Sequence, residues 1–353
     1  MLYKFFLHSY ANKLCMIIKN KSLFKMLNFQ SEKRIVREYY SALDRADEND
    51  LANVIISYTN KNYIWRGFYP FEIQKNIGTL VKSFWLPFRQ SLSHLQRRTD
   101  IFFAGLNFID NGGSVWVCSM GHLMGLFDNP WLNIEPTNKI AMLRYAEFHK
   151  IENQKISETA FYFDIPHLMI QAGYQPFKSQ TATNLIQPGP APNTGLLYDV
   201  NDPKESQLTM DIMNSMIQDV GTWQSELTLE EELARTWHKD MIWWGPAGIG
   251  STYTIPRYAK QHAKPFRTGL SGKVTTGHIC RIAEGHYSGF FGWPNFTAKP
   301  NGYLGLPRSN INCEFRVIDV YRREGNKLKE NWVFIDMLHF FKQQGIDILE
   351  NLK

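Results

Sequence analysis

Asp336 is the residue of this chain best suited to moving a proton. It closes the run NWVFID, in which Trp332, Phe334 and Asp336 alternate and so share one face of a strand. A carboxyl group among large aromatics loses the hydration of its anion, so its pKa rises and near neutrality it can both donate and accept a proton. Deprotonating an enolisable carbon acid and later returning the proton is chemistry open to such a group. Asp336 also stands where a helix N-cap belongs, with Gly345 at the matching C-terminal end. The residues leave both roles open.

Histidines supply the second set. In HICRIAEGHY, strand alternation puts His278, Ile282, Glu284 and His286 on one face, where polar groups converge on a ligand if that face lines a pocket. The alternative is a surface strand with solvated His and Glu. His238 and Asp240 in WHKD precede a Trp-containing strand. The candidate catalytic set is Asp336, His286 and His238, and Trp244, His278, Glu284, Trp293, Trp332, Phe334, Asp164 and His122 are the candidate ligand contacts. Trp293, with Trp243 and Phe291, reads equally as core or pocket wall. Arg89, Arg144, Arg267 and Arg316 are candidates for a substrate carboxylate or for buried ion pairs, with Asp319 or Glu147 as partners.

The pair His238 and Asp240 lacks a third ligand of recognisable spacing, and Cys15, Cys118, Cys280 and Cys313 show no paired spacing. No metal is therefore expected. The cysteine pattern fits a reducing, cytoplasmic setting rather than a disulfide framework. GPAGIG after Trp244 lacks the GKS/T ending of a phosphate loop and reads as a connection into the next helix.

What must position these residues is a repeated unit. KLKENWVFIDMLHFFKQQG at Lys327 to Gly345 has a diverged copy, KISETAFYFDIPHLMIQAG, at Lys155 to Gly173, a constant offset of 172 that makes Asp164 the copy of Asp336. Upstream, Ile64, Trp65, Gly67, Pro87, Phe88 and Arg89 match Ile242, Trp243, Gly245, Pro265, Phe266 and Arg267 at an offset of 178. GHLMGLF at Gly121 echoes GHYSGFF at Gly285, which makes His122 the expected copy of His286. The order of the blocks is kept, as tandem duplication of a whole domain requires. Each copy reads as helices first, with Ile35, Tyr39 and Leu43 or Leu208, Ile212 and Met216 on one face, and then a run of strands. Thr228 with Glu231 makes a capping box and Gly325-Asn326 a hairpin turn.

The expected organisation is a basic, disordered extension over 1–30, a first domain over 31–173, a Pro/Gly-rich linker over 174–206 and a second domain over 207–353. In the linker, Leu196, Leu197 and Tyr198 form an apolar knot expected to dock on a domain surface. The net charge of +6 arises in the first thirty residues, which hold five lysines and no acid, so the remainder is nearly neutral and carries no nucleic-acid footprint. No apolar run there reaches the roughly 20 residues that span a bilayer. With 44% hydrophobic residues, the 353-residue chain can bury two cores.

WHKDMIWWGPAGIG, FGWPNFTAKPNGYLGLP and VIDVYRREGNKLKENWVFIDMLHFFKQQG together resemble the SnoaL-like polyketide cyclase family of the nuclear transport factor 2-like superfamily. The resemblance covers the second copy; the first joins chiefly through its Trp65 and Asp164 blocks. It implies an α+β fold, two tandem cone-shaped domains, each a curved antiparallel sheet wrapped around helices and enclosing an apolar pocket. It also implies that a late pocket aspartate, here Asp336 with Asp164 as its copy, serves as acid and base in an intramolecular aldol condensation without metal or cofactor.

Two functions from different classes follow. One is a cofactor-independent cyclase, isomerase or hydrolase acting on an apolar oxygenated small molecule in the second domain. The other is a non-catalytic module that binds a small ligand or a partner protein. In either case the expected partners are a small ligand and no nucleic acid or membrane. The two domains are expected to pair within one chain, which would then be a monomer.

Overall fold

The computed structural model describes residues 28–221 and 226–352, so most of the expected N-terminal extension, with Cys15, lies outside the described residues. Two α+β units follow one another, each a mixed sheet carrying helices. The first begins with the helices Gln30–Arg45 and Leu51–Tyr58, then β1 (Thr59–Gly67), β2 (Glu72–Gln74), a helical stretch from Ile77 to Ser91, β3 (Leu92–Leu106), β4 (Val115–Phe127), β5 (Ile140–Glu152), β6 (Lys155–Phe163) and the helix Ile165–Gln171. The second repeats the order. The helices Pro203–Gly221 and Leu229–Ala234 precede β7 (Trp237–Trp244), β8 (Ser251–Tyr253), helix from Ile255 to Gly269, β9 (Leu270–Thr275), β10 (Cys280–Glu284), β11 (Tyr287–Pro300), β12 (Cys313–Glu324), β13 (Lys327–Ile335) and the helix Met337–Lys342.

The strand orders coincide. The first sheet runs β2-β1-β6-β5-β4-β3 and the second β8-β7-β13-β12-β11-β10, with β9 also on β11. In each sheet one contact is parallel, β1 with β6 and β7 with β13, and the others are antiparallel. Register shifts within β3, and along β11 between Gly292 and Phe296, insert the bulges that bend long strands. The long β3 of the first unit is replaced in the second by two shorter strands, β9 and β10, that pair with opposite ends of β11.

Local chemistry explains several element ends. Thr228 and Glu231 exchange both bonds of a capping box at the helix Leu229–Ala234. Gly325, at φ 56°, turns the β12–β13 hairpin. After each strand tryptophan a glycine is required by contact: a Cβ on Gly67 would stand 2.1 Å from the Trp65 ring, and one on Gly245 1.9 Å from the Trp243 ring. Among the described residues, no helix is long and apolar enough to cross a membrane.

Each sheet has two working faces. The inner face of each unit packs on its own helices, with Trp65, Phe84, Phe88 and Phe163 in the first and Trp243, Ile255, Phe315 and Phe340 in the second. The outer faces meet in a seam. There Phe103, Trp116, Phe148 and Tyr162 of the first sheet bury against Ile282, Phe291, Trp332 and Phe334 of the second. The segment between the units follows the seam: Phe102 donates to the Gly195 carbonyl and Leu197 to that of Phe102, so the apolar knot docks on β3. Trp332 Nε1 donates to the Pro188 carbonyl at 3.1 Å.

Candidate active site

The second unit holds a cavity of about 200 Å³ between its helices and the inner face of its sheet. Its walls are largely aromatic, with Trp237, Trp243, Tyr258, Phe266, Phe290 and Phe296, and its polar side chains include Asp319, Asn331, His262, His278, Asn295, Thr275, Lys273 and Arg267. A mostly apolar concavity with a few placed polar groups is the form of a small-molecule site.

Asp319 is its acid. It lies on β12, paired with Phe290 on one side and Val333 on the other. Its Oδ1 accepts from Asn331 Nδ2 at 3.2 Å. Burial raises its pKa from 3.8 to about 7, against the hydrogen bonds of Asn331 and Tyr321 that favour the anion. A buried carboxyl poised near neutrality can give and take a proton without a large free-energy penalty in either direction. Arg267 is engaged by Glu232, with Nη1 3.2 Å from Oε2. Burial and Arg267 together bring the Lys273 amine down to about 8. His262 stacks on Trp243 with centroids 3.9 Å apart and 16° between planes, and burial lowers its pKa to about 3, so the ring is neutral. His278 stacks on Phe290 at 4.0 Å, and its Nδ1 accepts from Arg281 Nη2 at 3.0 Å. Burial, aided by Arg281, lowers it to about 3.

The corresponding place in the first unit is built differently. At an offset of 172, Glu147 takes the position of Asp319, Tyr145 that of Val317, Phe161 that of Val333 and Phe163 that of Ile335. At an offset of 178, Phe84 takes that of His262 and Arg97 that of Thr275. The ladders agree: Glu147 pairs with Phe161 as Asp319 pairs with Val333. Arg97 Nη1 lies 2.7 Å from Glu147 Oε2, and this contact overcomes burial to hold the Glu147 carboxyl down at about 2. His149 bridges the Tyr40 hydroxyl and the Thr159 Oγ1, each at 2.9 Å, which completes a closed network. Phe84 stacks on Phe88 and Phe163, and Trp131 packs on Phe88 at 5.1 Å. At these positions the first unit carries larger side chains and an internal counterion.

Of the candidate catalytic and ligand-contact residues drawn from the sequence, His278 alone lines this cavity; Trp243, read as core or pocket wall, and Arg267 and Asp319, read as possible ion-pair partners, line it as well. Trp332, Phe334 and Asp336 do share a face, but it is the seam face; Asn331, Val333 and Ile335, one residue out of phase, face the cavity. Asp336 is spent on architecture. Its Oδ1 accepts from the His339 amide at 3.1 Å, capping the helix Met337–Lys342, and its Oδ2 accepts from the Tyr69 amide of the other unit at 2.9 Å. Asp164 does the same in reverse, with Oδ1 on the His167 amide at 3.1 Å and Oδ2 on the Ala247 amide at 3.0 Å. Arg316 and Arg144 stand 3.6 Å from Asp336 and Asp164, the partners these two arginines take in place of Asp319 and Glu147. Burial raises Asp336 to about 7, against Arg316 and the two amides, and both of its oxygens are engaged at the seam, away from the cavity lining. GPAGIG is the loop that brings Ala247 to Asp164, and it leads into β8 rather than directly into a helix.

The remaining candidates disperse. His238 lies within β7 and bonds the Glu324 carbonyl at 2.9 Å on the exposed side, while Asp240 pairs with Lys329. His286 sits in the β10–β11 turn with its side chain 54% exposed, 3.7 Å from Glu205. Glu284 is buried against Lys33 of the first helix and accepts the Ala104 amide at 2.7 Å. Trp244 and Trp293 belong to the seam, where Arg316 lies over the Trp293 ring at 3.9 Å and Arg144 over Phe334 at 4.1 Å. His122 is buried beside Asp100 at 3.5 Å. His122 is also not the structural copy of His286: Gly121 sits in mid-strand opposite Tyr145, and the position opposite Val317, the copy of Tyr145, is Gly292. The echo of GHLMGLF in GHYSGFF is out of register with the sheet.

The sequence offers Asp319 only as an ion-pair partner and His262 not at all, since neither is matched by an identical residue in the first unit. The signal was present as a change of type at a matched position, Glu147 to Asp319 with Arg97 lost to Thr275, and Phe84 to His262.

No protein-family model matches the chain, and no curated protein matches it. Solved structures do. An NTF2-like protein from Burkholderia xenovorans LB400 aligns at 14% identity over 39% of this chain and 96% of its own, with a TM-score of 0.32. A candidate SnoaL-like polyketide cyclase from Jannaschia sp. CCS1 aligns at 14% over 42% of this chain and 94% of its own, with a TM-score of 0.34. A candidate polyketide cyclase from Streptomyces antibioticus aligns at 12% over 39% and 99%, with a TM-score of 0.32.

Proposed function

We propose that the second unit is a SnoaL-like acid/base site acting, without cofactor, on an apolar oxygenated small molecule held in the cavity around Asp319. The observation that carries this is the contrast at one rung of the two sheets. Where the first unit pairs Glu147 with Arg97 and packs aromatics around it, Asp319 forms no ion pair with an arginine among the described residues and faces a cavity of about 200 Å³ whose Arg267 is taken by Glu232. A structural acid would be neutralised as Glu147 is, because a buried carboxyl without a cation costs free energy in its charged form. Asp319 as base would take a proton from carbon next to a carbonyl, and Asp319 as acid would return it at another atom, giving aldol cyclisation or isomerisation. Asn331 keeps the carboxyl oriented through both stages.

The first unit, on this reading, is a diverged copy from a tandem duplication over 31–173 and 207–353, and it serves as a permanent partner rather than a second active site. The matched caps of Asp164 and Asp336 on the opposite unit support that role. A small ligand is the only partner the proposal requires, in a monomeric, cytoplasmic protein.

The test is a thermal-shift and turnover screen of small cyclic ketones and diketones on the full chain, with Asp319→Asn and Val333→Phe. Ligand stabilisation in the wild type, lost in Val333→Phe, with turnover lost in Asp319→Asn, supports an enzyme. Stabilisation without turnover in any protein supports a binding module. Stabilisation unchanged by Val333→Phe places the ligand elsewhere and refutes the proposal.

A further inference from the structure

His262 is anomalous as a core residue. Its ring is stacked between the cavity and Trp243, and its Nδ1 is buried with no hydrogen-bond partner. A buried unpaired polar atom costs stability unless something satisfies it. The first unit shows that the stack needs no nitrogen, since Phe84 lies over Trp65 at the same place with centroids 5.2 Å apart. A second orphan lies in the same cavity wall. Asn295 spends its Oδ1 on the Val317 amide at 2.8 Å, and its Nδ2, buried, has no partner.

We infer that His262 and Asn295 are the specificity-determining pair of the cavity, Asn295 Nδ2 donating to a carbonyl of the ligand and His262 Nδ1 bonding its hydroxyl, so that the preferred ligand is an uncharged hydroxy-ketone on an apolar ring. The inference rests on the cavity being the ligand site. Burial keeps the imidazole neutral, so Nδ1 either accepts from or donates to a hydroxyl, whereas a cationic ring would select an anion. The aromatic walls take the ring of the ligand, and the two orphans fix its orientation towards Asp319. A site built to bond a hydroxyl discriminates strongly against the ligand that lacks it, because the protein atom is then left buried and unpaired.

The test uses two probes, 4-hydroxy-1-tetralone and 1-tetralone, titrated by calorimetry into the full-length wild type and His262→Phe, with melting curves of the unliganded proteins. The wild type is expected to prefer the hydroxylated ketone by roughly tenfold or more, as one buried hydrogen bond gives. His262→Phe is expected to lose the preference, binding the two ketones alike, and to melt higher without ligand, because Phe removes the orphan and restores the packing of the first unit. A preference that survives in His262→Phe, or a lower melting temperature in that variant, overturns the role of His262 while leaving the cavity as the ligand site. Failure of both ketones to bind the wild type overturns the hydroxy-ketone assignment, and the ketone panel with Val333→Phe then decides separately whether the cavity is a site at all.

Discussion

Glu147 and Asp319 stand at the same rung of two sheets of identical strand order, and among the described residues only Glu147 forms an ion pair with an arginine. Glu147 lies 2.7 Å from Arg97 and is held at about 2, whereas Asp319 is raised by burial to about 7. The two units thus treat one buried acid in opposite ways, and the expected outcomes below follow from that difference.

Asp319→Asn changes stability in a pH-dependent direction. A carboxyl whose folded pKa exceeds its unfolded value binds more protons when folded, so stability falls as pH rises between about 4 and the folded value of about 7. The asparagine variant escapes this loss. It is expected to exceed the wild type by roughly 1–3 kcal/mol at pH 8 and to match it near pH 4, as urea unfolding at the two pH values will tell.

Thr275→Arg places in the second unit the cation that Arg97 provides in the first. The Asp319 carboxyl is expected to titrate well below its wild-type value, followed by carbon NMR of labelled aspartate, and turnover at neutral pH is expected to fall at least about tenfold as the general acid is lost. An unchanged titration curve would mean that the arginine does not reach the carboxyl.

Asp336→Ala separates architecture from chemistry. It removes a helix cap and a bond to the Tyr69 amide of the other unit, and leaves Arg316 with Glu72 as its near carboxylate. A loss of roughly 2–4 kcal/mol in denaturant unfolding is expected. Ligand affinity at the cavity, measured by calorimetry on the folded fraction, is expected to stay within twofold or so of the wild type. Asp164→Ala is expected to behave alike through the Ala247 amide.

Glu284→Ala tests the clasp between the first helix and the second unit. Lys33 is buried, donating to Glu284 and to the Leu197 carbonyl at 2.6 Å. Removing the carboxylate leaves a buried ammonium, and a cost of about 3–5 kcal/mol in chemical unfolding is expected. Lys33→Met together with Glu284→Leu is expected to recover most of it, since the uncompensated charge is then gone.

The periodicity of the chain determined a good deal without coordinates. Helix-first, strand-later order in two copies, the offset of 172 that pairs Asp164 with Asp336, the capping box at Thr228 and the turn at Gly325 are all local facts, set by spacing, caps and φ preferences that act within a few residues. Alternation also placed Trp332, Phe334 and Asp336 together on one face. What alternation cannot say is which face looks inward, since a period of two assigns residues to sides but does not name the sides. Docking of the second sheet against the first decided it, burying the seam face of β13 and turning Asn331, Val333 and Ile335 to the cavity. Pairing register decided the rest: the ladders set Gly292, not Gly285, opposite the residue that matches the partner of Gly121, so His286 falls in the β10–β11 turn while His122 lies buried in β4. Whether a buried acid is paired with an arginine or raised towards neutrality depends on groups far apart in the chain, Arg97 beside Glu147 and Thr275 on the wall around Asp319, and only the folded sheets bring these together.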